Sequence, residues 1–585
     1  MRKRPDKPTP KSGRIRRFVR RRRSSPWVLS LAAVAVLALI LLAAAPGLLP
    51  LALLPLGAVL GLAADRLREH WGWHRSGGKA AARRRRRYQG WAGRGDIARL
   101  RGLGPSTGDT PLSLGTAKGT PVAVHREKSV LYIGPPGSGK TGALACHAAD
   151  APGLLFATST KTEVLLDTLP YRDGPFWVLN ADGYGGIPST LAWSPVDGCR
   201  DPATAMRRAG DLVAASPRDP SGRDAYHEDR SARLLRCMLH AAAIDGASMR
   251  EVAFWVRHPL SARPMEILQS SLAAPGWDRQ LAELLVGGRD GDWITGLVAS
   301  ASASLGWMDD PVMAAAASPR PGEGFSARRF ARGHGSVYLI GKKRPHGSLA
   351  PYFSALGAEV FEQLKAFAME TPSGRLPVPA TFVLDEMPLT CPLPLHDMLA
   401  EARGPLITFV LAAQTIAQLR AKFGRDDGDT IRSACPVEVI FGGEKRHEDL
   451  EDLSAVIGNR DTWHYVKGDG GSRTRQPAPE RLMPPEALRN LAPRKAVILG
   501  PACRPILAAT PAIWERRGHV RADLAEVMAR MPARVPVSQP AIEPPRREPI
   551  ATPYAPSAIA DAQAVTEVPE EDLSWLESPA TSCAG

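Results

Sequence analysis

Paired cysteines are absent from this 585-residue sequence, which contains seven cysteines and no C-x-x-C pair. This spacing excludes a zinc ribbon and a disulfide framework, and it favours reduced thiols in a cytosolic body. The sequence also lacks the second histidine that a zinc-protease helix would need after His227-Glu228. A surface or capping role is therefore favoured for that pair.

A basic excess is missing from most of the chain, although the formal net charge is +16. Residues 1–94 carry 22 Lys and Arg against three acidic residues, a net charge of +19, which leaves −3 for the other 491 residues. Any contact between the body and DNA therefore depends on local patches of charge. The length exceeds what one hydrophobic core organises, so we expect two or more domains.

One phosphate-binding pattern, G-x-x-x-x-G-K-[ST], is complete and follows the apolar run Val130–Ile133. Glycines let such a loop curl so that backbone N–H groups face phosphate oxygens, and the helix predicted over 141–149 adds its dipole. We expect Lys140 to reach the β- and γ-phosphates of ATP and the Thr141 hydroxyl to ligate Mg²⁺. A glycine-rich turn with a chance lysine is the alternative, and eight positions in register disfavour it. The candidate nucleotide-binding residues are Gly134, Pro135, Pro136, Gly137, Ser138, Gly139, Lys140 and Thr141.

A second motif consists of the strand-forming residues Thr381–Leu384 followed by two carboxylates, Asp385 and Glu386. We predict that Asp385 holds Mg²⁺, directly or through water, and that Glu386 orients and deprotonates the attacking water. A further predicted strand, Phe409–Ala413, ends in Gln414, which can sense the γ-phosphate. Taken alone, each pattern is also typical of an ordinary strand that ends in a polar surface residue.

Apolar runs of strand length alternate with helical stretches from residue 93 onward. This alternation predicts an α/β fold with a mostly parallel sheet and helices on both faces. The strand-like runs stop over 201–332, where helix-length patterns predict an all-helical insertion. We therefore expect a nucleotide-binding domain in two parts, 93–200 and 333–520. A proline-rich linker and an acidic tail are expected over 521–585.

Two uncharged apolar segments, Trp27–Ala45 and Leu48–Ala64, are separated by Pro46-Gly47. Each approaches the roughly 20 residues that a membrane-spanning helix needs, so we predict a transmembrane helical hairpin over 27–64. A cleaved signal peptide is disfavoured because a second apolar segment follows at once. A buried hairpin in a soluble core is disfavoured by the basic clusters on both sides.

The flanks of the hairpin are basic, which predicts that both of its ends and the motor domain lie in the cytoplasm. Residues 1–26 are expected to be a disordered cytoplasmic N-terminus, and residues 65–92 a juxtamembrane linker. Within that linker, the run Arg83–Arg87 favours contact with anionic membrane lipids, and nucleic acid is the alternative.

These motifs resemble those of the coupling proteins of bacterial type IV secretion and conjugation (TraG/TraD type). The resemblance covers about 93–514 and depends most on the ordered block Asp385–Leu419, with Arg481–Leu488 near the end of the core. It implies a RecA-like P-loop motor domain that forms a homo-hexamer at the cell membrane and hydrolyses ATP. The implied partners are DNA (single-stranded or relaxase-bound), the relaxase or another secreted protein, and components of the secretion channel.

The same resemblance implies a trans-acting arginine at Arg403, which would reach the γ-phosphate in the neighbouring subunit. A surface salt bridge on the predicted helix Leu395–Arg403 is the alternative for this residue. The sequence departs from the family because only a turn around 46–50 stands where many members carry an extracytoplasmic domain.

Two other functions compete with this interpretation. A DNA translocase of the FtsK/SpoIIIE type is disfavoured because it expects several membrane helices and a C-terminal winged-helix DNA reader. A receptor that binds ATP without hydrolysing it is disfavoured because such a receptor has no need of Glu386.

Overall fold

The computed structural model describes residues 89–102, 111–216, 224–286, 292–320, 322–342, 344, 347–467 and 473–531. The predicted transmembrane hairpin over 27–64, the N-terminus 1–26 and residues 532–585 lie outside these ranges. Within them, no helix has both the length and the apolar character that crossing a membrane requires. The described part of the chain divides into two compact units, of which one contains residues 89–90, 458–467 and 473–482 and the other contains the rest of the described residues.

The larger unit contains eleven of the described strands, and two more form a hairpin in the smaller one. Those of the larger unit are β1 (Leu112–Ala117), β2 (Thr120–Val124), β3 (Val130–Ile133), β4 (Leu155–Ser159), β5 (Phe176–Asn180), β6 (Ser336–Ile340), β7 (Ala380–Leu384), β8 (Ile407–Ala413), β9 (Val437–Phe441), β12 (Lys495–Leu499) and β13 (Ile506–Ala509). Those of the smaller unit are β10 (Asn459–Lys467) and β11 (Arg473–Arg481), which pair antiparallel from Asn459 opposite Arg481 to Lys467 opposite Arg473.

One sheet joins the strands of the larger unit in the order β2-β1-β13-β12-β9-β3-β8-β7-β4-β6-β5. The seven strands from β9 to β5 pair in parallel. The four at the other end, from β12 to β2, pair antiparallel. Strands β3, β4 and β6–β9 are buried along their whole length, as expected for parallel strands covered on both faces. The predicted mostly parallel α/β sheet is therefore confirmed.

Helices occupy the connections between the strands. Before β6 they are α1 (Arg94–Gly102), α2 (Lys140–Ala149), α3 (Glu163–Thr168), α4 (Pro202–Ala214), α5 (Asp224–Asp245), α6 (Met249–Arg257), α7 (Ala262–Leu268), α8 (Trp277–Val286), α9 (Asp292–Ala303), α10 (Pro311–Ala316) and α11 (Ala327–Ala331). After β6 they are α12 (Ala350–Glu370), α13 (Met387–Thr390), α14 (Leu395–Ala402), α15 (Ile416–Phe423), α16 (Arg425–Ala434), α17 (His447–Ile457), α18 (Pro485–Arg489) and α19 (Leu524–Arg530).

The described residues between β5 and β6 contain helices α4–α11 and no strand. Local chemistry marks where several of these helices begin. Asp201 caps α4 by accepting from the N–H groups of Ala203 and Thr204, with Pro202 as the first helical residue. Ser248 and Glu251 form a capping box at the start of α6.

A buried ion pair connects helix α4, which lies between β5 and β6, to helix α12. The Arg208 guanidinium donates to Glu359 on α12 at 2.7 Å and lies 4.5 Å from the centre of the Trp193 ring. Burial raises the pKa of the neighbouring Asp211 to about 7. The carboxylate of Glu359 therefore neutralises the buried arginine, which is what makes its burial tolerable.

Candidate nucleotide-binding site

The candidate site lies at one edge of the sheet, where three adjacent parallel strands end. The P-loop follows β3, Gln414 follows β8, and Asp385 follows β7. The register places Ile133 opposite Ala413, and Leu384 opposite Leu411. Because these strands are parallel, their following residues meet at the same edge of the sheet.

The P-loop has the backbone of a phosphate cradle. Gly137 and Gly139 adopt left-handed φ values of 80° and 109°, which glycine accepts without strain. A Cβ on Gly134 would lie 2.7 Å from the Phe441 Cβ, so glycine is also required there by space. The Ser138 hydroxyl is buried and has no hydrogen-bond partner. This orphaned donor and the curled backbone both fit a phosphate group.

Lys140 begins helix α2 and is only 6% exposed. Its ammonium donates to the carbonyl oxygens of Gly134 and Pro135, the latter at 3.0 Å. Burial lowers the pKa of Lys140, while the charges of Asp385 and Glu386 act in the opposite direction. The Lys140 ammonium therefore bends back onto the carbonyl groups of the P-loop, and it also lies close enough to Asp385 and Glu386 to feel their charges.

Thr141 and Asp385 form the oxygen pair that the sequence assigned to magnesium. The Thr141 hydroxyl donates to Asp385 Oδ2 at 3.3 Å, and Asp385 is 5% exposed. Burial, and then the charge of Glu386, raises the pKa of Asp385 to about 6. Mg²⁺ is bound in phosphotransfer sites by one or two carboxylates together with substrate oxygens, so this sparse set of hard donors fits that ion.

Glu386 occupies a strained position, with φ 48° and ψ 42° in the left-handed region. The Thr390 hydroxyl supports this turn by donating to the Asp385 carbonyl at 2.8 Å. Gln414 Nε2 donates to Glu386 Oε1 at 2.9 Å. A non-glycine residue held left-handed costs about 1–3 kcal/mol and is typical of functional sites. The strain and the Gln414 bond together fix where the carboxylate stands.

Arg403 is not brought to this site within one chain. It follows α14 and precedes β8, so it lies at the opposite edge of the sheet from Gln414. The seven residues of β8 span roughly 20 Å. The Arg403 side chain is 76% exposed, and its Nε lies 3.7 Å from Glu127 Oε2. Arg403 therefore makes a weak surface pair, as its alternative role proposed, but with Glu127 before β3 and not with a residue of the helix.

Three residues beside the P-loop carry no local sequence signal. The Arg494 N–H donates to the Ser138 carbonyl at 2.9 Å, and a Cβ on Gly139 would lie 2.6 Å from its Cγ. Trp514 packs on Gly142 of α2 in the same way, and Phe441 packs on the loop's first glycine. The positions of Arg494 and Trp514 follow from β12 and β13 pairing beside β9, and that of Phe441 follows from β9 pairing with β3. No spacing rule reveals these long-range pairings.

Comparison with known proteins identifies similarity at two levels. Residues 379–493 match the family described as the TraM recognition site of TraD and TraG. No curated protein sequence matches the chain. The 379–493 match includes Asp385, Glu386, Arg403 and Gln414, so three of the convergent site residues and the distant arginine belong to that family segment.

Solved structures of the plasmid coupling protein TrwB share the fold. The unbound monoclinic form of TrwBdeltaN70 is 19% identical, with a TM-score of 0.53, and the match covers 74% of this chain and 96% of that one. TrwB in complex with ADP and Mg²⁺ is 18% identical, with a TM-score of 0.53 and coverage of 75% and 95%. TrwB in complex with a non-hydrolysable GTP analogue is 19% identical, with a TM-score of 0.52, and the match covers 74% of this chain and 95% of that one.

These comparisons confirm the resemblance predicted from the motifs. The RecA-like α/β fold with its mostly parallel sheet matches that of TrwB, and residues 379–493, which follow β6 and α12, match the family model. The chain is thus similar to TrwB in its fold and to the TraD and TraG family in residues 379–493.

Proposed function

We propose that this protein is a hexameric P-loop ATPase that couples DNA or nucleoprotein substrates to a type IV secretion or conjugation channel. The observation that carries the proposal is the convergence of Lys140, Asp385, Glu386 and Gln414 at one edge of the sheet. A receptor that only binds ATP has no use for the last two residues. Their mutual hydrogen bond supports turnover rather than binding alone.

Each residue of the site has a separate role in hydrolysis. Lys140 neutralises charge on the β- and γ-phosphates, and Glu386 accepts a proton from the attacking water. The water oxygen bonds to the γ-phosphorus, the bond to the bridging oxygen breaks, and ADP and phosphate leave. Thr141 and Asp385 would hold Mg²⁺, which supplies positive charge where negative charge develops. Gln414 holds the Glu386 carboxylate in the orientation this proton transfer needs.

The substrate and partner assignments extend the family resemblance to this chain. Because TrwB is described as a conjugative coupling protein, and the matched segment is described as a TraM recognition site, relaxase-bound DNA and secreted proteins are the proposed cargo. The exposure of Arg403 at the edge opposite the site supports a homo-hexamer, since its guanidinium can meet a γ-phosphate only in another copy. Channel components complete the proposed set of partners.

The proposed location is the cell membrane, with both termini and the ATPase in the cytoplasm. This proposal is supported by the two apolar segments within 27–64 and by the basic clusters on both sides. The Arg83–Arg87 run is proposed to lie against anionic headgroups.

The full-length protein in lipid nanodiscs provides the test. We expect Mg²⁺-dependent release of phosphate from ATP that rises when DNA is added, and loss of both in Lys140→Ala. Cells that carry Lys140→Ala should also lose conjugal transfer. Nucleotide binding without turnover, under conditions that form hexamers, would show a receptor instead. DNA movement that needs neither relaxase nor channel would show a translocase of the FtsK type.

A further inference from the structure

Trp514 lies on the first turn of the helix that follows the P-loop. A Cβ placed on Gly142 would come within 2.5 Å of the Trp514 ring, so the ring edge touches the backbone there. The side chain is nevertheless 54% exposed. The protein therefore holds the edge of a large aromatic ring against the helix that follows the phosphate loop and leaves much of the ring open to solvent.

Arg494 reaches the same place from a different part of the chain. It immediately precedes β12, while the turn Ile513–Glu515 follows β13. Because β12 and β13 are antiparallel neighbours, the start of one and the end of the other meet at one edge of the sheet. The Arg494 carbonyl accepts from the Thr510 N–H at 2.9 Å, and its guanidinium pairs with Glu515. Backbone contacts thus fix Arg494 while its side chain stays partly exposed.

The order of strands separates these two residues from the reacting end of the site. In the sequence β12-β9-β3-β8-β7, the P-loop follows the central strand, and Asp385 comes from β7 on one side. Arg494 and Trp514 come from β12 and the segment after β13 on the other. The acids mark the end where the γ-phosphate reacts. A nucleotide held with its β- and γ-phosphates there therefore extends its nucleoside toward the opposite side.

We propose that Trp514 and Arg494 form the nucleobase subsite of this protein, an inference that rests on the proposed ATPase function. The base stacks on the exposed face of the Trp514 ring, which any planar base can do. The Arg494 guanidinium, held by its pair with Glu515, flanks the same space. Gly142 is glycine because the indole must lie directly on the helix backbone.

Two ligands separate base stacking from support of the P-loop. ATP and inorganic tripolyphosphate share the phosphate chain, and only ATP carries a base. Trp514→Leu keeps an apolar side chain over Gly142 but removes the aromatic face, whereas Trp514→Phe keeps an aromatic face. Titration calorimetry of the full-length protein with Mg²⁺ measures the Kd of each ligand for each variant.

We expect Trp514→Leu to weaken ATP binding roughly 5- to 150-fold, the usual cost of losing one base–aromatic stack. Tripolyphosphate binding should stay within about twofold, and Trp514→Phe should keep most of the affinity for ATP. Phe254→Ala, which removes a comparably exposed aromatic of α6, is the matched control and should change neither ligand.

Equal losses for ATP and tripolyphosphate in Trp514→Leu would overturn the subsite, because the ring would then act only by supporting the loop. Unchanged ATP affinity would overturn it as well. If the unmutated protein bound neither ligand, the nucleotide site itself would be wrong. That result is distinguishable from failure of the base subsite alone.

Discussion

The two edges of the central sheet hold their charged side chains in different ways. At the edge where β3, β8 and β7 end, Lys140 and Asp385 are almost fully buried and Glu386 is fixed by Gln414. At the other edge, Arg403 projects into solvent and approaches Glu127 only at 3.7 Å. One edge is preorganised within a single chain, and the other presents an exposed cation whose pair with Glu127 is long and weak.

This difference assigns separate requirements to the two edges. Groups that act on a nucleotide bound by their own chain need burial and fixed orientation, because preorganised charges stabilise a transition state best. A group that acts on a neighbouring copy must instead be exposed before assembly. Substitutions at the two edges should therefore fail in different ways.

The largest expected effect belongs to the exposed edge. Arg403→Ala should retain ATP binding and lose hydrolysis about 10³-fold or more, the usual effect of removing an arginine finger. Steady-state phosphate release and nucleotide titration of hexameric protein measure the two quantities. Arg375→Ala is the matched control, because Arg375 pairs with the same Glu127 at 2.9 Å and should leave the rate unchanged.

Mixing two inactive proteins tests the trans role of Arg403 directly. Arg403→Ala subunits keep an intact P-loop, and Lys140→Ala subunits keep an intact arginine. Mixed hexamers should recover part of the activity, because some intact P-loops then adjoin an intact Arg403. Hexamers shown to be well mixed, yet as inactive as either parent, would contradict action between subunits.

A substitution at the buried edge should lower the rate of ATP hydrolysis without weakening ATP binding. Glu386→Gln keeps the size of the side chain and removes the proton acceptor, so the rate of hydrolysis should fall roughly 10²- to 10⁴-fold. The Kd for ATP should stay close to that of the unmutated protein. Glu401→Gln, an exposed substitution on α14, serves as control. Hydrolysis at the original rate in Glu386→Gln would show that another group takes the proton.

Gln414→Ala should have a smaller effect at the same edge. It removes one hydrogen bond to a charged group, worth about 1.5–3 kcal/mol, so kcat should fall by roughly 10- to 100-fold. Because Gln414 acts through Glu386, the double variant with Glu386→Gln should lose little beyond Glu386→Gln alone. Fully additive losses in kcat would mean that Gln414 contacts the nucleotide independently.

The smallest effect is a change of stability at the exposed edge. The Glu127 carboxylate accepts a hydrogen bond from Arg375 and lies near Arg403. Burial, and then the charge of Arg403, lowers the pKa of the neighbouring Lys128, while the charge of Glu127 acts in the opposite direction. Glu127→Gln should lower the free energy of unfolding by about 1–3 kcal/mol. Thermal unfolding should show a lower Tm, while ATP affinity of the P-loop remains unchanged. A decrease in ATP affinity would show that the edges are coupled within one chain.

Sequence reasoning succeeded where the pattern was local. Strands β3, β7 and β8 could be predicted because each is an apolar run of strand length. Their ends could be predicted because a glycine or a polar residue follows each run directly. The left-handed backbone conformation of Glu386 could not be predicted, because no neighbouring residue in the sequence requires it. The antiparallel strands β1, β2, β10, β11 and β13 were also not predicted, because several are short or polar and β1 contains Gly115 at a bulge.

Arg494 and Trp514 illustrate a second limit of sequence reasoning. They lie more than 350 residues beyond the P-loop, and only the placement of β12 beside β9 brings them to it. Spacing rules describe neighbours along the chain, whereas this contact depends on pairing between distant strands.

The strand order also sets when the site can exist during synthesis. Strand β3 is flanked by β8 and β9, so the P-loop strand has neither neighbour until residues 407–441 have been made. The helices between β5 and β6 contact one another locally and can fold earlier, since short-range contacts form first. A nascent chain therefore carries the complete P-loop sequence from residue 141 to residue 441 without a site that can bind ATP.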